Sequence, residues 1–384
     1  MNLLKSYSQC LAKLQNEGLY RECAKHLTSE YKINLDFSTT DYMSLGQNPT
    51  LKTKVISALQ KFGTGACGSR LLAHTTGIVD VLENAISDAK NTQAAMVFGS
   101  AFALNTTVIA ALLNNEVLGE TPIVFADKFI HASMIAGVQL SKAKMLRYKH
   151  LDLEHLETLL KRYKNYKNPK FILSETLFSV DGDFVDFAGI THLASKYGAF
   201  LYLDEAHEIG LYGDKGYGMS VNYSNKIDLV MGSFSKGLAS FGGYLATSSL
   251  IKNYLVNKCS SFIYSNALPS YVVAASYHSW RLIPALDKQR KKIQSLALTL
   301  REHLKAKGFD IKNSNSHIVP IVLKNPEKTI QLRDLLRLDG IAVSAFRPPS
   351  VPTNSSRLRI AINAKHTKEN ILFLIDRLCH HLNV

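Results

Sequence analysis

Leu201-Tyr202-Leu203-Asp204-Glu205-Ala206-His207 reads as an apolar strand that ends in an acid, with a histidine three residues later. In open α/β sheets, ligands collect at the carboxyl ends of strands, which makes Asp204 and His207 candidates for a site. Taken alone, Asp204 has a simpler reading as a helix cap. Further along, Leu229-Val230-Met231-Gly232-Ser233-Phe234-Ser235-Lys236-Gly237 repeats the pattern, an apolar strand ending in hydroxyls, glycines and one lysine. Lys236 alone would be read as a solvated surface residue. The two motifs together carry more. A lysine can form a Schiff base with an aldehyde cofactor. A buried carboxylate can keep a ring nitrogen protonated. Flanking hydroxyls and backbone N–H groups can hold a phosphate.

Outward from these motifs, short apolar segments at 94–98, 122–125, 144–147, 170–174, 199–203 and 228–231 read as buried strands. Stretches with helical spacing, such as 153–162 and 187–196, lie between most of them. This alternation predicts an α/β fold with a mainly parallel sheet and helices on both faces. The first 35 residues read as an amphipathic helix and a link, and 33–37 is strand-like. After 268 the texture changes: a long helical region over 271–307, strands at 318–323, 341–345 and 357–362, and helices at 330–338 and 368–382. The predicted organisation is an N-terminal helix and arm over 1–45, a large α/β domain over 46–275, and a small α+β domain over 276–384.

The chain has 384 residues, 46% of them apolar and 20% charged, which suits a globular protein with a sizeable core. Cys10, Cys23, Cys67, Cys259 and Cys379 are odd in number and include no CxxC pair. That pattern argues against a disulfide framework or a metal centre and fits a reduced, cytoplasmic setting. The N-terminus has no secretory apolar segment, and no apolar run near membrane-spanning length is expected elsewhere. The net charge of +14 favours anionic partners. The basic residues are scattered, and no nucleic-acid motif accompanies them.

Seven segments in register resemble the fold-type-I pyridoxal-phosphate enzymes, and more narrowly the α-oxoamine synthases. They are Asp41-Tyr42-Met43-Ser44-Leu45-Gly46, Gly63-Thr64-Gly65-Ala66-Cys67-Gly68-Ser69-Arg70, Ser100-Ala101-Phe102-Ala103-Leu104-Asn105, Asp127-Lys128-Phe129-Ile130-His131-Ala132-Ser133, Ser174-Glu175-Thr176-Leu177-Phe178-Ser179-Val180-Asp181-Gly182-Asp183, and the Asp204 and Lys236 motifs. The resemblance implies a pyridoxal 5'-phosphate-dependent transferase fold and an acyltransferase that condenses an amino acid with an acyl thioester. Phe346-Arg347-Pro348-Pro349-Ser350-Val351-Pro352 and Arg357-Leu358-Arg359 resemble the branch that joins L-alanine to a pimeloyl thioester, on coenzyme A or a carrier protein, for biotin synthesis. It also implies a homodimer.

By the same resemblance, Lys236 bears the cofactor and moves the substrate Cα proton. Asp204 meets the ring nitrogen, His207 the ring oxygen, and His131 stacks on the ring and helps orient the substrate. Ser179 touches the cofactor, while Ala101, Phe102 and Ser233 serve its phosphate. Arg359 takes the amino acid carboxylate, with Arg357 as the alternative, and Arg21 and Ser350 line the acyl substrate. The sequence departs from the family pattern at four places: Thr40 in place of asparagine, Ala101 in place of glycine, Ala73-His74-Thr75 in place of a Ser-Gly-Asn-like turn, and Glu208 in place of a small residue. Glu208 is expected near the cofactor, where a carboxylate would repel phosphate. The departures leave open a sister synthase with another amino acid or acyl chain, and a non-catalytic protein on the same fold.

Overall fold

The computed structural model describes residues 3–22, 32–72 and 76–383. Cys23 and the Ala73-His74-Thr75 departure lie outside them. The chain forms two compact units. One joins Met1–Thr39, Val180–Asp183 and Lys291–Val384; the larger joins Thr40–Ser179 and Phe184–Arg290. The divisions fall here rather than after 45 and 275. The helix Ser270–Leu282 packs against the helices Pro49–Phe62 and Ile78–Lys90 and so stays with the larger unit. The expected helix over 271–307 is interrupted at Ile283–Leu286, where Pro284 lacks the N–H that a continuous helix needs.

The larger unit is built on seven strands: β1 (Ala94–Phe98), β2 (Ile123–Asp127), β3 (Lys144–Tyr148), β4 (Lys170–Glu175), β5 (Ala199–Asp204), β6 (Leu229–Ser233) and β7 (Gly243–Thr247). Their order across the sheet is β1-β7-β6-β5-β4-β2-β3. All neighbours are parallel except β7, which runs antiparallel to both β1 and β6. Strand β7 was not expected from the sequence.

Apart from the edge strand β3, which is largely exposed, the strands alternate their side chains between two cores. Val97, Phe125, Ile172, Leu203 and Val230 enter one, with Leu82, Ile190 and Trp280 from helices. Met96, Val124, Leu173, Tyr202 and Met231 enter the other, with Leu104, Val108 and Met134. Burial on both faces explains why these strands are apolar throughout.

Against the expectation of no membrane-length apolar run, Ala101–Leu118 is long and apolar enough to cross a bilayer, with a mean hydropathy of 1.3. It is two helices, Ala101–Leu112 and Asn115–Leu118, and its Leu104, Val108, Ile109 and Leu112 are buried in the core. A helix that serves a core passes the same compositional test.

In the smaller unit, β8 (Ile318–Lys324), β9 (Ser344–Phe346) and β10 (Ser356–Ala361) form an antiparallel sheet in the order β9-β10-β8. Leu35–Asp36 pairs in parallel with Ile341–Ala342, which ties the N-terminal arm to the C-terminal segment. Gly182 has a φ of +67°, and a Cβ there would collide with the Ile318 carbonyl. Gly182→Ala is therefore expected to destabilise the unit by about 2–5 kcal/mol, left-handed strain and steric overlap combined. A fall in the urea midpoint would register it.

Candidate active site

Asp204 closes β5, and its carboxylate is held on both oxygens. Ala206 N donates to Oδ1 at 3.0 Å and Asn105 Nδ2 to Oδ2 at 2.9 Å. Asn105, on the helix Ala101–Leu112, is itself oriented: its Oδ1 accepts from the Tyr202 hydroxyl at 2.6 Å. Its amide also donates to Ser133 Oγ at 3.0 Å, and Ser133 Oγ stands 2.6 Å from His131 Nδ1. These contacts connect Asp204 to His131 through two buried polar side chains.

His131 caps the helix Ala132–Ser141, with Nδ1 accepting from Ser133 N at 3.2 Å. That acceptor role assigns the proton of the neutral ring to Nε2. The ring reaches the surface at the cavity, yet the protein packed around it lowers its pKa. The Asp204 charge opposes that shift and Lys236 adds to it. His207, 5% exposed, has Nδ1 2.7 Å from the Tyr42 hydroxyl. Lys236 is half-buried in the loop after β6.

Ala101, Phe102, His131, Asp204, His207 and Lys236 line one cavity of the larger unit. Ser233, at the end of β6, accepts from Ser235 N at 3.2 Å and is buried. Ser179 N donates to Glu175 Oε2 at 3.2 Å. Neither Ser233 nor Ser179 is among the residues lining the cavity. Glu175 and Asn105 are, and neither was picked from the sequence, although both lay in segments that carried the resemblance.

Arg21, Ser350 and Arg359 belong to the smaller unit. Arg21 Nη2 donates to Ser350 Oγ at 3.2 Å. The Arg359 guanidinium lies over the Phe346 ring, 5.1 Å from its centroid. Arg357 is ion-paired with Asp181 and also bonds Ser355.

Two departures find physical accounts. Ala101 is the first residue of a helix and is not among the residues with positive φ, so an alanine fits. Gly243 opposite it has no Cβ to crowd the Ala101 methyl. Glu208 does not line the cavity, which corrects the expectation of repulsion there. It is fully buried, and Met219 N donates to its Oε2 at 2.7 Å. Burial, and then the neighbouring Glu205 charge, push its carboxyl up from 4.5 to about 7.

The folded state therefore favours protonated Glu208. Between these two values the unfolded chain has lost the proton while the folded one keeps it. Glu208 thus lends stability below 4.5 that is lost as pH rises through about 7. Glu208→Gln should flatten that slope, read as the difference between wild-type and variant urea midpoints from pH 5 to 8.

A wider groove at the amino ends of β5 and β6, walled by Thr191, Phe200, Tyr223 and Lys226, lies at the opposite end of the sheet. The strand-end cavity is the better candidate on topology and on its convergent polar groups. Among the described residues, no three His, Cys, Asp or Glu side chains are grouped to hold a metal ion. The cavity's groups suit a ligand of a particular kind. Asp204 is an acceptor for a protonated ring nitrogen, and Lys236 is an amine for an aldehyde. The N–H groups that open the helix at Ala101 and Phe102 suit a phosphate.

The class I and II aminotransferase family matches residues 32–378. A Magnetococcus marinus protein provisionally named 8-amino-7-oxononanoate synthase is 43% identical over 88% of this chain and 85% of its own. The 8-amino-7-oxononanoate synthase of Gluconacetobacter diazotrophicus is 38% identical over 90% of this chain and 86% of its own. Among solved structures, a serine palmitoyltransferase variant from S. paucimobilis with bound PLP–myriocin covers all of both chains, with a TM-score of 0.91 and 27% identity. The 8-amino-7-oxononanoate synthase of Francisella tularensis covers 91% of this chain and 98% of its own, with a TM-score of 0.77 and 27% identity.

Proposed function

We propose, from the premise that the chain belongs to the class I and II aminotransferase family, that it is a pyridoxal-phosphate-dependent acyltransferase of the α-oxoamine synthase type, joining L-alanine to a pimeloyl thioester. Carbon dioxide is lost, and 8-amino-7-oxononanoate is formed for biotin synthesis. The observation that carries this reading is the single cavity holding Lys236, Asp204 and His131. A homodimer in the cytoplasm is part of the same proposal.

Pyridoxal phosphate, when bound, supplies an electron sink for the negative charge that forms at the amino acid Cα. Lys236 Nζ would hold its aldehyde, and the Asp204 carboxylate would keep its ring nitrogen protonated. The Ala101 and Phe102 N–H groups and the Ser233 hydroxyl would take its phosphate. His207 would serve its ring oxygen, and Ser179 would touch the cofactor from its loop.

Lys236 Nζ would be the base that takes the Cα proton and later returns one. His131 offers its Nε2 proton to the substrate carboxyl or thioester carbonyl and is kept neutral by its enclosure. Arg359 is assigned to the substrate carboxylate, because an arginine fork matches a carboxylate. Arg21 and Ser350 are assigned to the acyl chain.

The test is carbon dioxide release from L-alanine, glycine or L-serine, each with pimeloyl coenzyme A or a pimeloyl carrier protein. Release with alanine supports the reading. Release with serine instead of alanine would favour the sister reading, which the TM-score of 0.91 to a serine palmitoyltransferase recommends.

A further inference from the structure

Glu175 ends β4 and is the register partner of Asp204 on β5. It is 3% exposed and lines the same cavity, and the roles assigned to Lys236, Asp204 and His131 leave it unused. The two acids are satisfied unequally. Asp204 receives an N–H on each oxygen. Glu175 receives one, from Ser179 N, while its buried Oε1 has no hydrogen-bond partner among the described residues.

The charged and titratable groups around Glu175 come from several elements. Asp204 and His207 belong to the β5 end and the turn after it, and Asp127, with His150 on its carboxylate, to β2. Lys236 comes from the loop after β6, and His131 shares the cavity. Two enclosed carboxylates so close cannot both ionise without a large penalty, and Glu175 has the fewer donors to hold a charge. Burial first, and then the Asp204 charge, raise the Glu175 carboxyl well above the ordinary range.

We propose that Glu175 is a further cofactor-binding residue, a neutral carboxylic acid whose O–H donates to the phenolate oxygen of the pyridoxal ring. This rests on the reading of the cavity as a pyridoxal-phosphate site. An ionised Glu175 would offer only acceptors and would repel that oxygen. Protonated, it supplies a donor from the strand beside Asp204 and leaves Asp204 as the carboxylate for the ring nitrogen.

The experiment compares wild-type holoenzyme with Glu175→Gln and Glu175→Ala. Three readouts are taken: pH titration of the visible chromophore, the dissociation constant for pyridoxal phosphate, and infrared difference spectra. Glu175→Gln keeps a donor and should hold the chromophore midpoint near wild type. Its infrared difference spectrum should lack one carboxylic-acid carbonyl band that wild type shows at neutral pH. Glu175→Ala should move the midpoint by about one pH unit and weaken cofactor binding about tenfold, the effect of losing a hydrogen bond to a charged oxygen. An unchanged midpoint in Glu175→Ala, or no such band lost in Glu175→Gln, overturns the inference alone. A wild-type protein that forms no chromophore overturns it together with the proposed function. Should Glu175→Ala fail to fold, the Glu175→Gln spectrum still decides.

Discussion

Lys236→Ala is expected to abolish turnover while leaving the fold intact. Lys236 is half-buried in a loop, so its removal opens no core cavity. Its amine is the group in the cavity suited both to bond an aldehyde and to carry the substrate Cα proton. Losing a positioned general base costs about 10²–10⁴-fold in rate, and losing the covalent attachment adds to that. Carbon dioxide release should fall by at least that factor, with the thermal midpoint close to wild type. The borohydride-sensitive Schiff-base band that the protein alone forms with pyridoxal phosphate should vanish as well. Wild-type turnover in Lys236→Ala would refute the assignment of Lys236 outright.

Lys90→Met should bring the largest loss of stability. Lys90 ends the helix Ile78–Lys90 and is 1% exposed, and it is ion-paired with fully buried Glu205. The Tyr244 hydroxyl donates to Glu205 Oε1 at 2.7 Å, and Ser220 Oγ donates to Oε2 at 2.5 Å. Lys90 also bonds the Tyr217 carbonyl and Ser220 Oγ. Methionine fills the space of the lysine stem but leaves Glu205 charged and without a counter-ion. Removing one partner of a buried pair costs about 3–5 kcal/mol. The double variant Lys90→Met/Glu205→Gln buries no lone charge and should regain most of that loss, a coupling visible in a double-mutant cycle of urea midpoints. Additive losses in that cycle would argue against the pair.

Much of the candidate site could be proposed from the sequence because its residues follow strands. Asp204, His207 and Lys236 stand where apolar runs end, a local pattern that needs no knowledge of distant contacts. Asn105 and Ser133 sat inside recognisable segments, but their roles depend on a hydrogen-bonded chain that forms only when two helices meet. Glu175 was illegible for another reason. A carboxylate at a strand end says nothing of its protonation, which depends on burial beside Asp204. Lys90 and Glu205 are far apart in the chain, and a lysine at a helix end reads as solvated until its surroundings are known. Strand β7 escaped because it follows Gly242, opens on Gly243, and is antiparallel. No crossover helix announces it, so the strand–helix alternation that revealed the other six is missing there.

The place of β7 also bears on how the molecule is made. Among the described residues, strand β1 pairs with β7 alone, Phe98 lying opposite Gly243. On the ribosome, β1 therefore emerges early and must wait, apolar and unpaired, until nearly the whole sheet has been translated. Leu35 waits longer still for Ile341. Such late closure of early segments slows assembly and prolongs the exposure of sticky edges. Newly synthesised protein should therefore depend on chaperones more than its final stability would suggest.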